Sequence, residues 1–150
     1  MEIRAANPKD LKEIEGIEKA SFNKDAYHRE LLEAFLKEPR FLTLVAESDG
    51  VLVAYGTLFE EEGSSTRLVT IAVRPVERNQ GLAKKLMRRL EDIALEKGSK
   101  RMTLEVGVTN VAAVNLYLGF GFRIRGTIPD YYGKQKDAFY MEKGLRPRTP

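Results

Sequence analysis

The sequence predicts an α/β domain with a mixed, mostly antiparallel sheet flanked by helices. Three observations carry that prediction. Short runs rich in β-branched and aromatic residues alternate with segments whose apolar residues recur at helical spacing. Ser48-Asp49-Gly50 is a hairpin signal between two such runs, so part of the sheet is antiparallel. The run 101–108 is entered from a long helix, so it returns parallel to 66–73 through a right-handed crossover.

Taken in order, 2–6 reads as a first strand. Asn7-Pro8 then starts a helix, Asn as N-cap and Pro in the first helical position. Leu11, Ile14, Ile17 and Ala20 give it one apolar face, and 21–26 is a polar break. A second helix over 27–37 turns Leu31, Leu32, Phe35 and Leu36 inward and ends before Pro39. Strands follow at 41–47, 51–59 and 66–73, with the acidic tip 60–65 solvated. The next helix carries Leu82, Leu86, Leu90 and Ile93 on one face and stops at Gly98. After the strand 101–108 comes a short helix, 110–118, stopped by Gly119 and Gly121. Strands 122–128 and 136–143 flank a turn holding Pro129, Tyr131, Tyr132 and Gly133. Residues 1–144 read as one domain and 145–150, with two prolines and two arginines, as a frayed tail.

Composition narrows the chemistry. With 150 residues the chain can bury a real core. There is no cysteine, so disulfides, thiolate metal sites and cysteine nucleophiles are excluded. His28 is the single histidine; it reads as a surface residue at a helix start, and no metal site is expected. No run of 18 apolar residues exists and the opening MEIRAANPKD shows no apolar signal segment, so a soluble cytoplasmic protein without a membrane partner is expected. A net charge of +3 suits a small anionic ligand better than a nucleic-acid backbone; neither a Walker lysine nor an aromatic recognition surface is present.

The stretch LVTIAVRPVERNQGLA, 68–83, organises the rest. A strand that turns through Arg78-Asn79-Gln80-Gly81-Leu82-Ala83 into a helix leaves backbone N–H groups free at the positive end of the helix dipole, a site for phosphate. The same residues also fit a plain surface turn with solvated arginines. Along the strand 102–108, Leu104, Val106 and Val108 share one face, with Thr103, Glu105 and Gly107 on the other. A carboxylate in mid-strand of a covered parallel sheet is unusual: Glu105 either pairs with a cation or faces a cleft and works as a base. Tyr117 fits a half-buried space filler beside Phe120, and Asn110 fits an N-cap. Tyr131 and Tyr132, in a turn, are hard to justify by packing and point to binding.

The element order resembles the Gcn5-related N-acetyltransferases (the GNAT fold), as do Arg78-x-x-Gly81-x-Ala83 and Leu104-Glu105-Val106…Asn110…Ala113…Leu116-Tyr117…Gly119-Phe120-Gly121-Phe122. Tyr131-Tyr132, Asp137-Ala138 and Met141 are similar to the RimI- and Ard-type enzymes that acetylate protein N-termini. The resemblance implies a central parallel strand pair that splays, and acetyl-CoA as acetyl donor. Main-chain groups of Ile71, Ala72 and Val73 would hold the pantetheine and the acetyl carbonyl. Arg78, Asn79, Gln80, Gly81, Leu82, Ala83 and Lys84 would hold the pyrophosphate, with Asn110 also at the cofactor. Glu105 would be the general base. Tyr117 would donate a proton to the departing thiolate. Phe22, Tyr27, Tyr131 and Tyr132 would grip the acceptor peptide. Two departures bear on the acceptor: Gly107 stands where RimI-type enzymes usually carry Arg, and 22–25 lacks their common Trp.

The expected activity is acetyl transfer to the α-amine of a protein or peptide, with a ribosome or auxiliary subunit as possible partner and a monomer or weak homodimer as assembly. The alternatives are transfer to lysine side chains, polyamines or another small amine, or a non-catalytic CoA-binding subunit. An intact Glu105 and Tyr117 speak against the last.

Overall fold

The fold is described over residues 1–147 in a computed structural model. Its sheet has seven strands: β1 (Glu2–Ala5), β2 (Phe41–Ser48), β3 (Val51–Glu61), β4 (Ser65–Val73), β5 (Arg101–Gly107), β6 (Arg123–Ile128) and β7 (Ala138–Gly144). Four helices cover it: α1 (Leu11–Phe22), α2 (Arg29–Lys37), α3 (Leu82–Glu96) and α4 (Val111–Gly119). The strand order is β1-β2-β3-β4-β5-β7-β6, antiparallel at every pairing except β4–β5. That exception is the crossover through α3 that the sequence predicts.

Strand alternation sends side chains to two cores. Leu44 and Ala46 of β2, with Leu104 and Val106 of β5, face α3 and join Leu86 and Leu90. Val45 of β2 and Tyr55 of β3 face α1 and α2 and join Ile14, Ile17, Leu32 and Phe35. Glycine at 56 lets α3 lie close on β3: a Cβ there would meet Leu90 Cδ1 at 2.9 Å.

The boundaries shift in places. Asn7 does cap, accepting from the Lys9 N–H in a capping box with Asp10, but the first turn, Pro8–Asp10, is a 3-10 turn. The expected polar break is shortened, since α1 runs to Phe22 and a second 3-10 turn takes Asn23–Asp25. The second helix begins at Arg29, not at residue 27, and Leu31 is not inward: it lies at the edge of a narrow apolar stripe, 41% exposed. Leu145 does not fray either. It is buried, and its N–H donates to the Lys100 carbonyl at 2.8 Å. The end of the expected tail, 148–150, lies outside the described residues. Among the described residues no helix is long and apolar enough to cross a membrane.

Candidate active site

The parallel ladder between β4 and β5 is short. It pairs Ser65 with Arg101, Thr66 with Met102 and Arg67 with Thr103, and no further. Beyond Arg67, β4 continues to Val73 against β3 alone, with Ile71, Ala72 and Val73 opposite Gly56, Tyr55 and Ala54. β5 continues to Gly107 against β7 alone. The sheet therefore opens between Ile71–Val73 on one side and Glu105–Gly107 on the other. Main-chain groups of β4 that face the gap have no ladder partner there.

At the end of β4 the chain makes a 3-10 turn, Pro75–Glu77, and then two left-handed residues, Asn79 (φ 65°) and Gly81 (φ 78°). Gly81 is the N-cap of α3 and has no side chain to fill the capping role. The first bond of the helix runs from Lys85 N–H to Gly81 O, so the N–H groups of Leu82, Ala83 and Lys84 precede the ladder. Gln80, Gly81 and Lys84 are exposed. A 15-residue helix thus presents an open, positive N-terminus to solvent, the arrangement that holds phosphate. The Arg78 side chain turns elsewhere: Nε donates to the Val73 carbonyl at 3.1 Å and an Nη to Ser21 Oγ on α1 at 3.2 Å.

On the α1–α2 face, β5 presents Glu105, and the cation that the sequence left open is Arg67 on β4. Arg67 Nε lies 2.7 Å from Glu105 Oε1, and an Nη of the same guanidinium lies at the same distance from the same oxygen. That Nη also donates to the Tyr131 hydroxyl at 3.0 Å, and Tyr131 donates back to Glu105 Oε1 at 3.1 Å. Burial works against charge on Arg67, yet Glu105 and the neighbouring phenols outweigh it and hold the guanidinium above its usual value. Tyr132 donates to the Glu105 main-chain carbonyl at 3.3 Å. Its ring lies 3.7 Å from where a Cβ on Gly107 would sit, so a side chain at 107 would start in van der Waals contact with it. The two tyrosine rings meet edge to face, centroids 4.8 Å apart. Their turn is itself braced: Asp137 accepts from the Asp130 N–H at 2.9 Å, and Asp130 from the Gln135 N–H at 2.7 Å.

Tyr27 enters from the opposite loop, its ring edge-on to Phe35. Its phenol is pushed up by burial, an effect that Arg67 opposes while Tyr131, Glu18 and Glu105 add to it. The loop is anchored by Glu18, only 1% exposed, which accepts from the Tyr27 N–H at 2.9 Å and from the Tyr55 hydroxyl. At the rim Lys136 and Asp25 approach to 3.8 Å, an exposed pair that joins the two loops weakly. Phe22 is not part of this cluster; it packs into the core beneath α1 and α2.

Tyr117 lies on α4, in the core on the α3 side of the sheet; the N-terminus of α4 is capped by Asn110 through the Ala113 N–H at 3.2 Å. Tyr117 is 9% exposed, edge-on to Phe122, and burial alone pushes its phenol well up, so the hydroxyl keeps its proton at any ordinary pH. Burial raises the Tyr132 phenol first, and Tyr131, Tyr27, Glu105 and Tyr117 all add to the shift.

The structure brings together Glu105, Tyr27, Tyr131 and Tyr132, and it adds Arg67, which the sequence reading missed. The signal was present: Arg67 and Glu105 are opposite charges in two strands predicted to be parallel neighbours.

Residues 9–122 match the Acetyltransferase (GNAT) family. A candidate [ribosomal protein bS18]-alanine N-acetyltransferase of Bacillus subtilis is 33% identical over 144 residues, covering 93% of this chain and 92% of its own length. The crystal structure of the ribosomal-protein-S18-alanine N-acetyltransferase from Escherichia coli superposes with a TM-score of 0.88 at 24% identity, over 99% of this chain and 96% of that one. An aminoglycoside 6′-N-acetyltransferase complexed with coenzyme A shares the fold at a TM-score of 0.85 and 16% identity, over the whole of both chains. The chain belongs to the GNAT family of acetyltransferases. It is an N-acetyltransferase whose similar proteins include ribosomal-protein-alanine acetyltransferases.

Proposed function

We propose that this protein transfers acetyl from acetyl-CoA to the N-terminal α-amine of a protein or peptide. The observation that carries the proposal is the Glu105 carboxylate: it stands at the mouth of the β4–β5 gap, one oxygen held by Arg67 and Tyr131, ringed by phenols on two loops. The gap and the open helix start fit the donor. The exposed N–H groups at the start of α3 suit a pyrophosphate, and unladdered β4 suits an amide-bearing arm. Asn110, at the mouth of α4, would line the same channel. Acetyl-CoA supplies the activated thioester.

In this reading Glu105 takes a proton from the acceptor ammonium, freeing the nitrogen lone pair to attack. N–H groups along Ile71–Val73 donate to the carbonyl oxygen as it gains charge. As the C–S bond breaks, the buried Tyr117 hydroxyl, which holds its proton until that point, passes it to the departing sulfur. Tyr27, Tyr131 and Tyr132 hold the first residues of the acceptor chain. An α-amine, with a pKa of ~8 against ~10.4 for lysine, is the easier nucleophile for a single carboxylate base, by about 3 kcal/mol.

The test is a CoA-release assay with acetyl-CoA and two peptide sets. One has a free α-amine and no lysine; the other has a blocked N-terminus and one internal lysine. Turnover confined to the first set is expected. Turnover mainly on the second moves the activity to lysine side chains. Silence on both, with acetyl-CoA still bound, indicates a small-amine acceptor or a required auxiliary partner.

A further inference from the structure

We propose that Arg67 is the positioning residue for the base: with the Tyr131 hydroxyl it pins one oxygen of Glu105 and so aims the other at the acceptor amine. The proposal rests on Glu105 acting as general base and goes beyond it, to what holds that carboxylate in a productive orientation.

The geometry is asymmetric. A guanidinium and a carboxylate that merely pair for stability favour a fork-on-fork arrangement, each nitrogen on its own oxygen. Here Nε and an Nη of Arg67 both lie 2.7 Å from Oε1, and Tyr131 adds a third contact to that same oxygen at 3.1 Å. Arg67 also donates to the Tyr131 hydroxyl, so the three groups close a ring of hydrogen bonds that leaves Oε2 outside it. Nor is Oε2 sealed in: among the described residues no buried side-chain polar atom lacks a partner, so an oxygen outside the ring is one that solvent reaches. The carboxylate is otherwise well enclosed, its side chain 11% exposed. One oxygen is held by three contacts, and the other lies outside the ring.

The position of Arg67 in the sheet explains how it can do this. It belongs to the last residue pair of the β4–β5 ladder, opposite Thr103, and Glu105 is the next residue of β5 on the same face. The side chain of Arg67 therefore spans the first step of the opening, anchored on rigid backbone at its base. Rigid support of this kind matters because a displacement of about 1 Å in a reacting group costs on the order of 100-fold in rate. Lysine at 67 would keep the charge but could not clasp one oxygen with two nitrogens while holding a phenol with the second.

The experiment is steady-state transfer to a lysine-free peptide with a free α-amine, comparing wild type, Arg67→Lys, Arg67→Met, Glu105→Gln and the Arg67→Met/Glu105→Gln double variant. Melting temperature and acetyl-CoA binding are measured alongside. Arg67→Met is expected to lower kcat about 10- to 100-fold, with acetyl-CoA affinity and peptide KM within about threefold of wild type, and Arg67→Lys to recover part of the loss. On the Glu105→Gln background Arg67→Met is expected to cost nothing further, because a residue that acts through Glu105 has nothing left to act on. Full additivity in the double variant overturns the proposal, as does a loss confined to peptide KM, which would make Arg67 an acceptor contact. If Arg67→Met fails to fold, Arg67→Lys decides in the same cycle. Failure of the underlying reading looks different: Glu105→Gln would then leave kcat near wild type, and the base assignment falls together with its positioning residue.

Discussion

The two sides of the β4–β5 gap are built from different material. The side proposed for acetyl-CoA is main chain: the unladdered end of β4, a turn with two left-handed residues and the bare start of α3. The side proposed for the acceptor is side chains, contributed by β4, β5, the α1–α2 loop and the β6–β7 turn. Main-chain donors come with any residue type, so such a site tolerates substitution provided the backbone path survives. A side-chain cluster depends on each member's identity. The difference teaches where a fault should be felt. Damage to the first side should show as weaker acetyl-CoA binding, and damage to the second as slower chemistry or weaker peptide binding.

The largest test of that division is Glu105→Gln. It removes the basic oxygen while keeping shape, and kcat should fall about 10²- to 10⁴-fold with acetyl-CoA affinity held, as calorimetry would show. Comparable loss of cofactor binding would mean that the two sides are not separable. Next is Gly81→Ala. Space is available for the methyl group, but the left-handed conformation costs an L-residue about 1–2 kcal/mol. Relaxation of the turn should weaken acetyl-CoA about 5- to 30-fold, leaving kcat at saturation near wild type.

Tyr132→Ala probes the other side by binding alone. Peptide KM should rise about tenfold, the size expected for losing a packed aromatic anchor, with acetyl-CoA affinity unchanged in the same titration. An unaltered peptide KM would remove the β6–β7 turn from the acceptor site.

The smallest effect is a pH dependence of stability at Glu18, beneath the acceptor side. Burial pushes this carboxyl up, with the hydrogen bonds from Tyr55 and from the Tyr27 N–H opposing. The folded state therefore holds the proton more tightly than the unfolded chain does. Stability from this group is fully present below the unfolded value of ~4.3 and is lost as pH rises through the folded value. Glu18→Gln removes the titration, so urea unfolding of wild type relative to the variant should lose ground as pH is raised from about 4 to about 7. A constant difference across that range would show that Glu18 is not strained by its burial.

Much of the frame was legible because it rests on local rules. The period-2 runs, the Ser48-Asp49-Gly50 hairpin and the stop at Gly98 each act within a few residues, and each stands where expected. Asn110 caps α4 for the same reason. Errors fell where a local signal was weak or was overruled from a distance. Leu31 satisfies helical spacing but sits at the stripe's edge, and Leu145 follows no pattern yet is held by Lys100.

The candidate site divides in the same way. The turn into α3 could be read in sequence because its function would lie in consecutive backbone amides, and consecutive residues stay together in any fold. By itself the sequence determined the order of elements, the crossover that makes β4 and β5 parallel, and the presence of one carboxylate on the wrong kind of strand. Only the tertiary structure decided which cation meets Glu105, which of its oxygens is taken, and that Tyr27 and Tyr131 approach it from opposite loops. Residues 27, 67, 105 and 131 lie far apart along the chain. What joins them is the early end of a three-pair ladder and the packing of two loops over it, neither of which any local stretch encodes.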